Sequence, residues 1–188
     1  MRVSTKSDYA LRALIEIAGR DDAKPVSADA LGKAQDIPHG FLQAILADLR
    51  RADILVSQRG PSGGWRFARS PEDVSVADVI RAVDGPLVSV YGLRPEVVDY
   101  EDSAASLKPV WIAARQALRE VFEQVTIRAL ADNELPDVVT NLVADEDAWQ
   151  PHLAPAPRVR RTTSLRPAGA PGHGFPRRCV EVHDSGRR

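Results

Sequence analysis

Residues 37–69 read IPHGFLQAILADLRRADILVSQRGPSGGWRFAR, and a change of rhythm inside this stretch decides the fold. Phe41, Leu42, Ile45, Leu46 and Leu49 fall at the alternating short and long steps of an amphipathic helix. Pro38 suits the first turn of that helix, where a missing N–H breaks no bond. After Asp53 the period drops to two: Leu55, Ser57 and Arg59 alternate with Val56 and Gln58, and then Trp65 and Phe67 with Arg66 and Ala68. The intervening Gly60-Pro61-Ser62-Gly63-Gly64 is turn chemistry. A helix feeding a two-stranded hairpin with Arg59 at its tip is the outline of a winged helix-turn-helix, a device that reads DNA.

Upstream, the pattern predicts two more helices. Tyr9, Ala10, Ala13, Leu14, Ile17 and Ala18 form the apolar stripe of a helix over 5–19 that ends at Gly19. Lys6 and Arg12 lie off that stripe, as solvated surface or as phosphate contacts near the helix start. Ser27 caps a short helix reaching about Gln35, with Ala30, Leu31 and Ala34 inward. Asp36-Ile37-Pro38 is then the tight turn of the helix-turn-helix. The second helix of such a unit enters the major groove with its N-terminal residues at base edges.

On that helix the positions off the stripe include His39, Gly40, Gln43 and Ala44. The Gln43 amide can donate to and accept from one adenine edge, which makes it the best base reader. His39 is either a base or phosphate contact or an exposed turn residue. Gly40 and Ala44 are small enough to let the helix sit deep. Arg50 and Arg51, at the far end, complement the helix dipole or pair with Asp48, with phosphate contact as the other reading. Arg59 at the wing tip can enter a minor groove or clamp a phosphate, and Gly60 and Gly63 allow close approach to the backbone. The expected DNA-contacting set is therefore Lys6, Ser27, His39, Gly40, Gln43, Ala44, Arg50, Arg59, Gly60 and Gly63. The run from Gly60 to Gly64 also matches G-x-S-x-G, but a nucleophile elbow joins strand to helix, and here the turn joins strand to strand. The chain is not expected to be an enzyme.

These motifs together resemble the Rrf2 family of bacterial transcription regulators. The likeness rests on Ile37-Pro38, Phe41-Leu42, Ile45-Leu46, Leu49, Ala52 and Ile54-Leu55-Val56. It continues through Arg59-Gly60, Gly63-Gly64-Trp65, Phe67-Ala68-Arg69 and the helix ending in Arg81-Ala82-Val83-Asp84-Gly85-Pro86-Leu87. The opening Thr5-Lys6-Ser7-Asp8-Tyr9-Ala10-Leu11-Arg12-Ala13-Leu14 also looks like the first helix of that family, so the resemblance spans roughly residues 1–135. It implies a homodimer with one winged helix-turn-helix per subunit and a long dimerisation helix. Many such proteins carry three cysteines after the fourth helix that hold an iron–sulfur cluster. Here residues 86–105 read PLVSVYGLRPEVVDYEDSAA, without a cysteine, so no cofactor is expected and the signal is left open. Tyr91, Asp99, Tyr100, Glu101 and Asp102 line a site for an unknown effector or simply form a solvated acidic loop.

The remaining chain fills in this outline. A fourth helix is expected over 75–84, capped by Ser75 and Asp78 and stopped by Gly85-Pro86. From Ser106 to about Asp132, Trp111, Ala114, Leu118, Val121, Phe122, Val125 and Ala129 recur at steps of three and four. A stripe of that length calls for a twin helix from a second subunit, or else for burial within its own. The dimerisation set is Trp111, Ala114, Leu118, Val121, Phe122 and Val125. Residues 137–149 can form a short helix. Beyond Pro151 the chain is rich in Pro, Gly and Arg and is expected to be disordered. The scattered His173, Cys179 and His183 there are no metal site.

Charge supports the division. Residues 1–70 hold 11 Lys/Arg against 8 Asp/Glu, residues 71–150 hold 6 against 16, and residues 151–188 hold 8 against 2. A mildly basic front and an acidic middle suit a protein that offers one end to a polyanion. No apolar run approaches the roughly 18 residues of a membrane span, and no secretory signal opens the chain. A cytoplasmic protein is expected. The fold class is mainly α with a small β-hairpin: a winged helix-turn-helix over 1–85, a sensor-like loop and dimerisation helix over 86–135, and an extension over 136–188, largely disordered after 150. The functional expectation is a dimeric, sequence-specific regulator on double-stranded DNA, without a membrane partner. Its rival is a winged-helix module used for protein–protein contact.

Overall fold

The computed structural model describes residues 3–20, 24–60 and 62–151. Among these residues seven α-helices and one hairpin follow in order: α1 (Thr5–Ala18), α2 (Ala28–Gln35), α3 (His39–Arg51), β1 (Leu55–Gln58), β2 (Gly64–Phe67), α4 (Val76–Val83), α5 (Leu107–Phe122), α6 (Ile127–Asp132) and α7 (Asp137–Val143). Residues 1–150 form one compact unit. The expectation of disorder after Pro151, and that of no metal site at His173, Cys179 and His183, lie outside the described residues.

The core forms where the apolar stripes of α1 and α3 meet. Ala10, Ala13 and Leu14 of α1 and Leu42, Ile45, Leu46 and Leu49 of α3 are each 0% exposed. Burying each large side chain contributes about 1.5–3 kcal/mol. Phe41 departs from the expected stripe: it is 60% exposed and makes an edge-to-face contact with Tyr9, with ring centroids 6.3 Å apart. Small inward residues such as Ala10 leave room beneath α3 for the leucines, and Phe41 sits one step outside that arc. Ala34, read as inward on α2, is likewise exposed, and Leu31 is the one buried residue of that helix.

The caps explain the boundaries. The Ser4 hydroxyl accepts from the Ser7 N–H, and Ser27 accepts from the Ala30 N–H, each satisfying a donor in a first helical turn. Ser75 and Asp78 make both bonds of a capping box on α4. Asp36, left-handed at φ 50°, ends α2, and the Ile37 N–H returns to the Gly32 carbonyl at 3.0 Å. That closes the turn of the helix-turn-helix in three residues.

The hairpin pairs Leu55 with Phe67, Val56 with Arg66, Ser57 with Trp65 and Gln58 with Gly64, antiparallel. A third short edge joins it, which the loop-like sequence before α2 did not announce. The Val26 N–H donates to the Trp65 carbonyl at 2.9 Å, and the Trp65 N–H donates back at 2.8 Å. Gly64 makes this approach feasible, since a Cβ there would lie 2.5 Å from the Val26 carbonyl oxygen. Gly64→Ala should therefore break the Val26–Trp65 pair and destabilise the fold by about 1–3 kcal/mol. Urea unfolding would show this as a lowered midpoint with an unchanged slope.

The long helix expected from Ser106 to Asp132 is two helices. α5 stops at Phe122, and Thr126 restarts the chain by accepting from the Ala129 N–H at 3.1 Å. Between them Glu123 and Gln124 turn the chain, and the backbone then runs extended through Thr126 and pairs with the segment before α4. The Val76 N–H donates to Val125 O, and the Ile127 N–H donates to Val74 O, both at 2.9 Å. The run Val125-Thr126-Ile127 is β-branched, which favours this conformation and supplies the cap. The three-and-four spacing persists across the break by coincidence. Val125, expected at a subunit interface, is only 5% exposed within its own core, and Ile127 is fully buried in the core that α1 and α3 build.

Candidate nucleic-acid interface

The solvent side of α3 carries the residues expected to read bases. His39, Gly40, Gln43 and Ala44 are all exposed. A Cβ placed on Gly40 would meet nothing within 4 Å, so the helix start is open. The Gln43 amide nitrogen lies 3.3 Å from His39 Nε2, and that ring nitrogen lies 3.6 Å from an Asp29 carboxylate oxygen. The pair thus orients Gln43 across one helical turn without burying it. A cleft of about 420 Å³ beside the start of α3 takes in Asp29, Lys33 and His39.

The wing lies on the other flank. Arg50 places its guanidinium over the Trp65 ring, 5.9 Å from the centroid, tying the solvent side of α3 to β2. Its neighbour Arg51 pairs with Asp48, as the charge pattern suggests. Arg59 is exposed at the end of β1 and has no hydrogen-bond or ion-pair partner among the described residues. Gly60, at φ 113°, accepts from the Gly63 N–H at 2.9 Å. A Cβ on Gly63 would come within 2.3 Å of the Gln58 carbonyl oxygen, so the tight tip depends on that glycine. Ser27 and Gly63 open on a second groove of about 630 Å³, together with Arg20, Lys24 and Gln58. Sequence reading missed Arg20, Lys24 and Lys33. The signal available was their grouping on either side of Ser27.

Two basic residues from the first helix have internal work. The Lys6 ammonium pairs with Asp48 and donates to the Val83 carbonyl at 2.8 Å, bridging α1, α3 and α4. Arg12 donates to the Gln35 carbonyl at the end of α2, where a cation suits the helix dipole, and lies over the Tyr9 ring. The sequence shows such residues as merely off-stripe, because their partners are far away in the chain. Ser7, buried and polar, donates to Asp84 at 2.6 Å and completes this bracket between α1 and α4.

A family model for Rrf2, described as an iron-dependent transcriptional regulator, matches residues 3–133. The chain belongs to the Rrf2 family. A provisionally named HTH-type transcriptional regulator of Mycobacterium tuberculosis is 39% identical over 150 residues, covering 80% of this chain and 93% of that protein. The regulator CymR of Bacillus subtilis is 30% identical over 131 residues, covering 70% of this chain and 90% of its own. The solved structure of B. subtilis CymR, titled the global cysteine regulator, superposes with a TM-score of 0.60 at 28% identity over 71% of this chain and 98% of that one. T. potens IscR superposes with a TM-score of 0.57 at 30% identity, over 71% and 89% of the two chains. This Rrf2 chain is thus a transcription regulator with the winged helix-turn-helix fold, and its matched relatives are named as regulators rather than enzymes.

The word iron in the family description can be tested against the donors present. The whole chain has one cysteine, Cys179, beyond the matched segment. Among the described residues no three His, Cys, Asp or Glu side chains converge to hold a metal ion. The donor set does not fit a cysteine-held cluster. No helix among the described residues is long and apolar enough to cross a membrane.

Proposed function

We propose that this Rrf2 protein is a cytoplasmic homodimer that binds double-stranded DNA sequence-specifically and regulates transcription without a cysteine-ligated cluster. The observation that carries the reading is the open N-terminal half of α3, with Gln43 held by His39, beside a wing whose Arg59 has no partner among the described residues. In this reading phosphate contacts set the register, and Gln43, His39 and Arg59 read base edges or groove shape. Ser27, Gly60 and Gly63 bring backbone close to the duplex, and Arg50, stacked on Trp65, borders the site. Lys6 acts one step back, by fixing α3 against α1 and α4. The acidic middle segment keeps the rest of the surface away from a polyanion.

Support for the dimer comes from α5. None of its 16 residues is buried, yet Leu107 and Val110 are 41% and 54% exposed, and Ala114 and Ala117 continue the same face in the open. Small residues on such a face let two helix backbones approach closely, and a two-fold axis would make the contact self-complementary. Trp111, Leu118, Val121 and Phe122 are half-buried at its border and complete the proposed interface. Two subunits then present two copies of α3 to half-sites about one DNA turn (~34 Å) apart.

A gel-shift titration against DNA from the promoter region next to its own gene tests the reading. Affinity should fall steeply with salt and exceed that for random DNA by about a thousandfold or more. Gln43→Ala should cost about 1–3 kcal/mol and relax discrimination at one base pair. Arg59→Ala should weaken binding and reduce the salt slope by about one. Equal affinity for random DNA, or a slope near zero, would refute specific DNA binding and favour a protein–protein module.

A further inference from the structure

The residues first suggested for an effector do not gather. Tyr91 is 91% exposed, the Tyr100 hydroxyl is taken by the Trp111 ring N–H at 3.1 Å, and Asp99 pairs with Lys108 at 3.0 Å. A cavity of about 510 Å³ lies close by, between the end of α4, the segment after it and one side of α5. Its lining includes Arg81, Arg94, Arg115 and Arg119 against a single carboxylate, Glu96, and Leu87 supplies an apolar wall.

Four guanidiniums around one cleft repel one another unless anions intervene. Part of that charge is met from within. Glu123 accepts from Arg119 at 2.9 Å and also pairs with Arg81, and these two arginines in that order hold its carboxyl down to about 2. Arg115 pairs with Glu96, and Arg81 also faces Asp78 at 3.7 Å. Arg94 has no hydrogen-bond or ion-pair partner among the described residues; its charge reaches Glu96 only through space. So one cation of the cleft is unmet among the described residues, and three others hold carboxylates in exposed pairs that a better ligand can displace. Guanidinium forks match carboxylate and phosphoryl oxygens bidentately, and both ligand classes are bound more tightly than a single monovalent ion.

We infer that the cleft bounded by Arg81, Arg94, Arg115 and Arg119 is a binding site for a small multivalent organic anion, bearing carboxylate or phosphoryl groups. Its position makes it an effector site for the regulator proposed above, and that consequence rests on the DNA-binding reading. Arg81 lies on α4, which packs on both α1 and α3, and Arg115 and Arg119 lie on α5. An anion drawing these arginines together competes with Glu123 at the α4–α5 junction. It thereby acts on the helix that abuts the DNA-reading unit. Linkage requires that operator and anion then alter each other's affinity by the same factor.

Calorimetric titration of the full-length protein with citrate, and separately with pyrophosphate, tests the site at constant ionic strength set with sodium chloride. One saturable site per chain is expected for at least one of the two, and which one binds assigns the ligand to carboxylate or phosphoryl chemistry. Arg94→Ala and Arg119→Gln should each weaken that binding about tenfold or more. Arg94 is exposed and has no partner among the described residues, so its replacement leaves the fold intact. Absence of saturable binding to both anions, or unchanged affinity in both variants, overturns the site. Operator affinity measured with and without the bound anion is the second arm, and no change there refutes the effector role. A protein that binds anion but no DNA keeps the site and sinks the DNA reading, whereas specific DNA binding without anion binding does the reverse.

Discussion

Ala114→Asp should split the dimer and lower operator affinity by about a hundredfold to ten-thousandfold, the gain that linking two binding modules confers. Ala114 is exposed on α5 in the single subunit, amid Leu107, Val110 and Ala117. In one chain the new carboxylate therefore meets water and costs almost nothing. Across a two-fold axis it faces its own copy, and an unpaired charge buried at such a contact costs about 3–5 kcal/mol. Sedimentation velocity should show the monomer, while circular dichroism shows helix content close to the parent. Gln116→Asp, on the opposite side of the same helix, should leave both association and DNA affinity unchanged. Equal dimerisation by Ala114→Asp and the parent would remove α5 from the interface.

The second large effect concerns stability. Ile127→Ala should destabilise the fold by about 2–5 kcal/mol, because Ile127 is completely buried among α1 and α3 residues and its loss opens a cavity. Leu135→Ala, at a position 39% exposed, should cost much less, since a side chain half in water has little transfer energy to lose. Denaturant midpoints for the two variants measure the difference. A cost below about 1 kcal/mol for Ile127→Ala would mean that α6 is a separable appendage rather than part of the DNA-binding unit. The result matters for function because α6 packs on α1, and α1 in turn supports α3.

Much of the architecture is legible in the sequence, for physical reasons that can be named. α3 and the hairpin announce themselves because each buries one face and exposes the other, so the period of the apolar residues is the period of the structure. Ser27 and Ser75 mark helix starts because a first turn has donors that need a local acceptor. What escaped depends on partners distant in sequence. Nothing near Val26 says that Trp65 will pair with it, and nothing near Lys6 points to Asp48 and Val83. The break between α5 and α6 was hidden because Val125 and Ala129 continue the helical spacing across it, while Val125 and Thr126 run extended beside Val74 and Val76. The arginine cleft was invisible for the same reason: Arg81, Arg94 and Arg115 belong to three different segments, and only folding gathers their charge.

The candidate interface divides along the same line. The exposed positions of Gln43, His39 and Arg59 were legible from helix register and turn chemistry. By contrast, the tethering of Gln43 to His39 and the seat of Arg50 on Trp65 needed the folded chain.

Hydroxyl-radical footprinting on a genomic fragment selected by the purified protein probes most directly whether paired subunits set α3 and the wing on duplex DNA. Two protected patches related by a two-fold axis and centred about one helical turn (~34 Å) apart are expected, with the protection at each patch weakened by Arg59→Ala. A single patch, or protection spread evenly along the fragment, would contradict it.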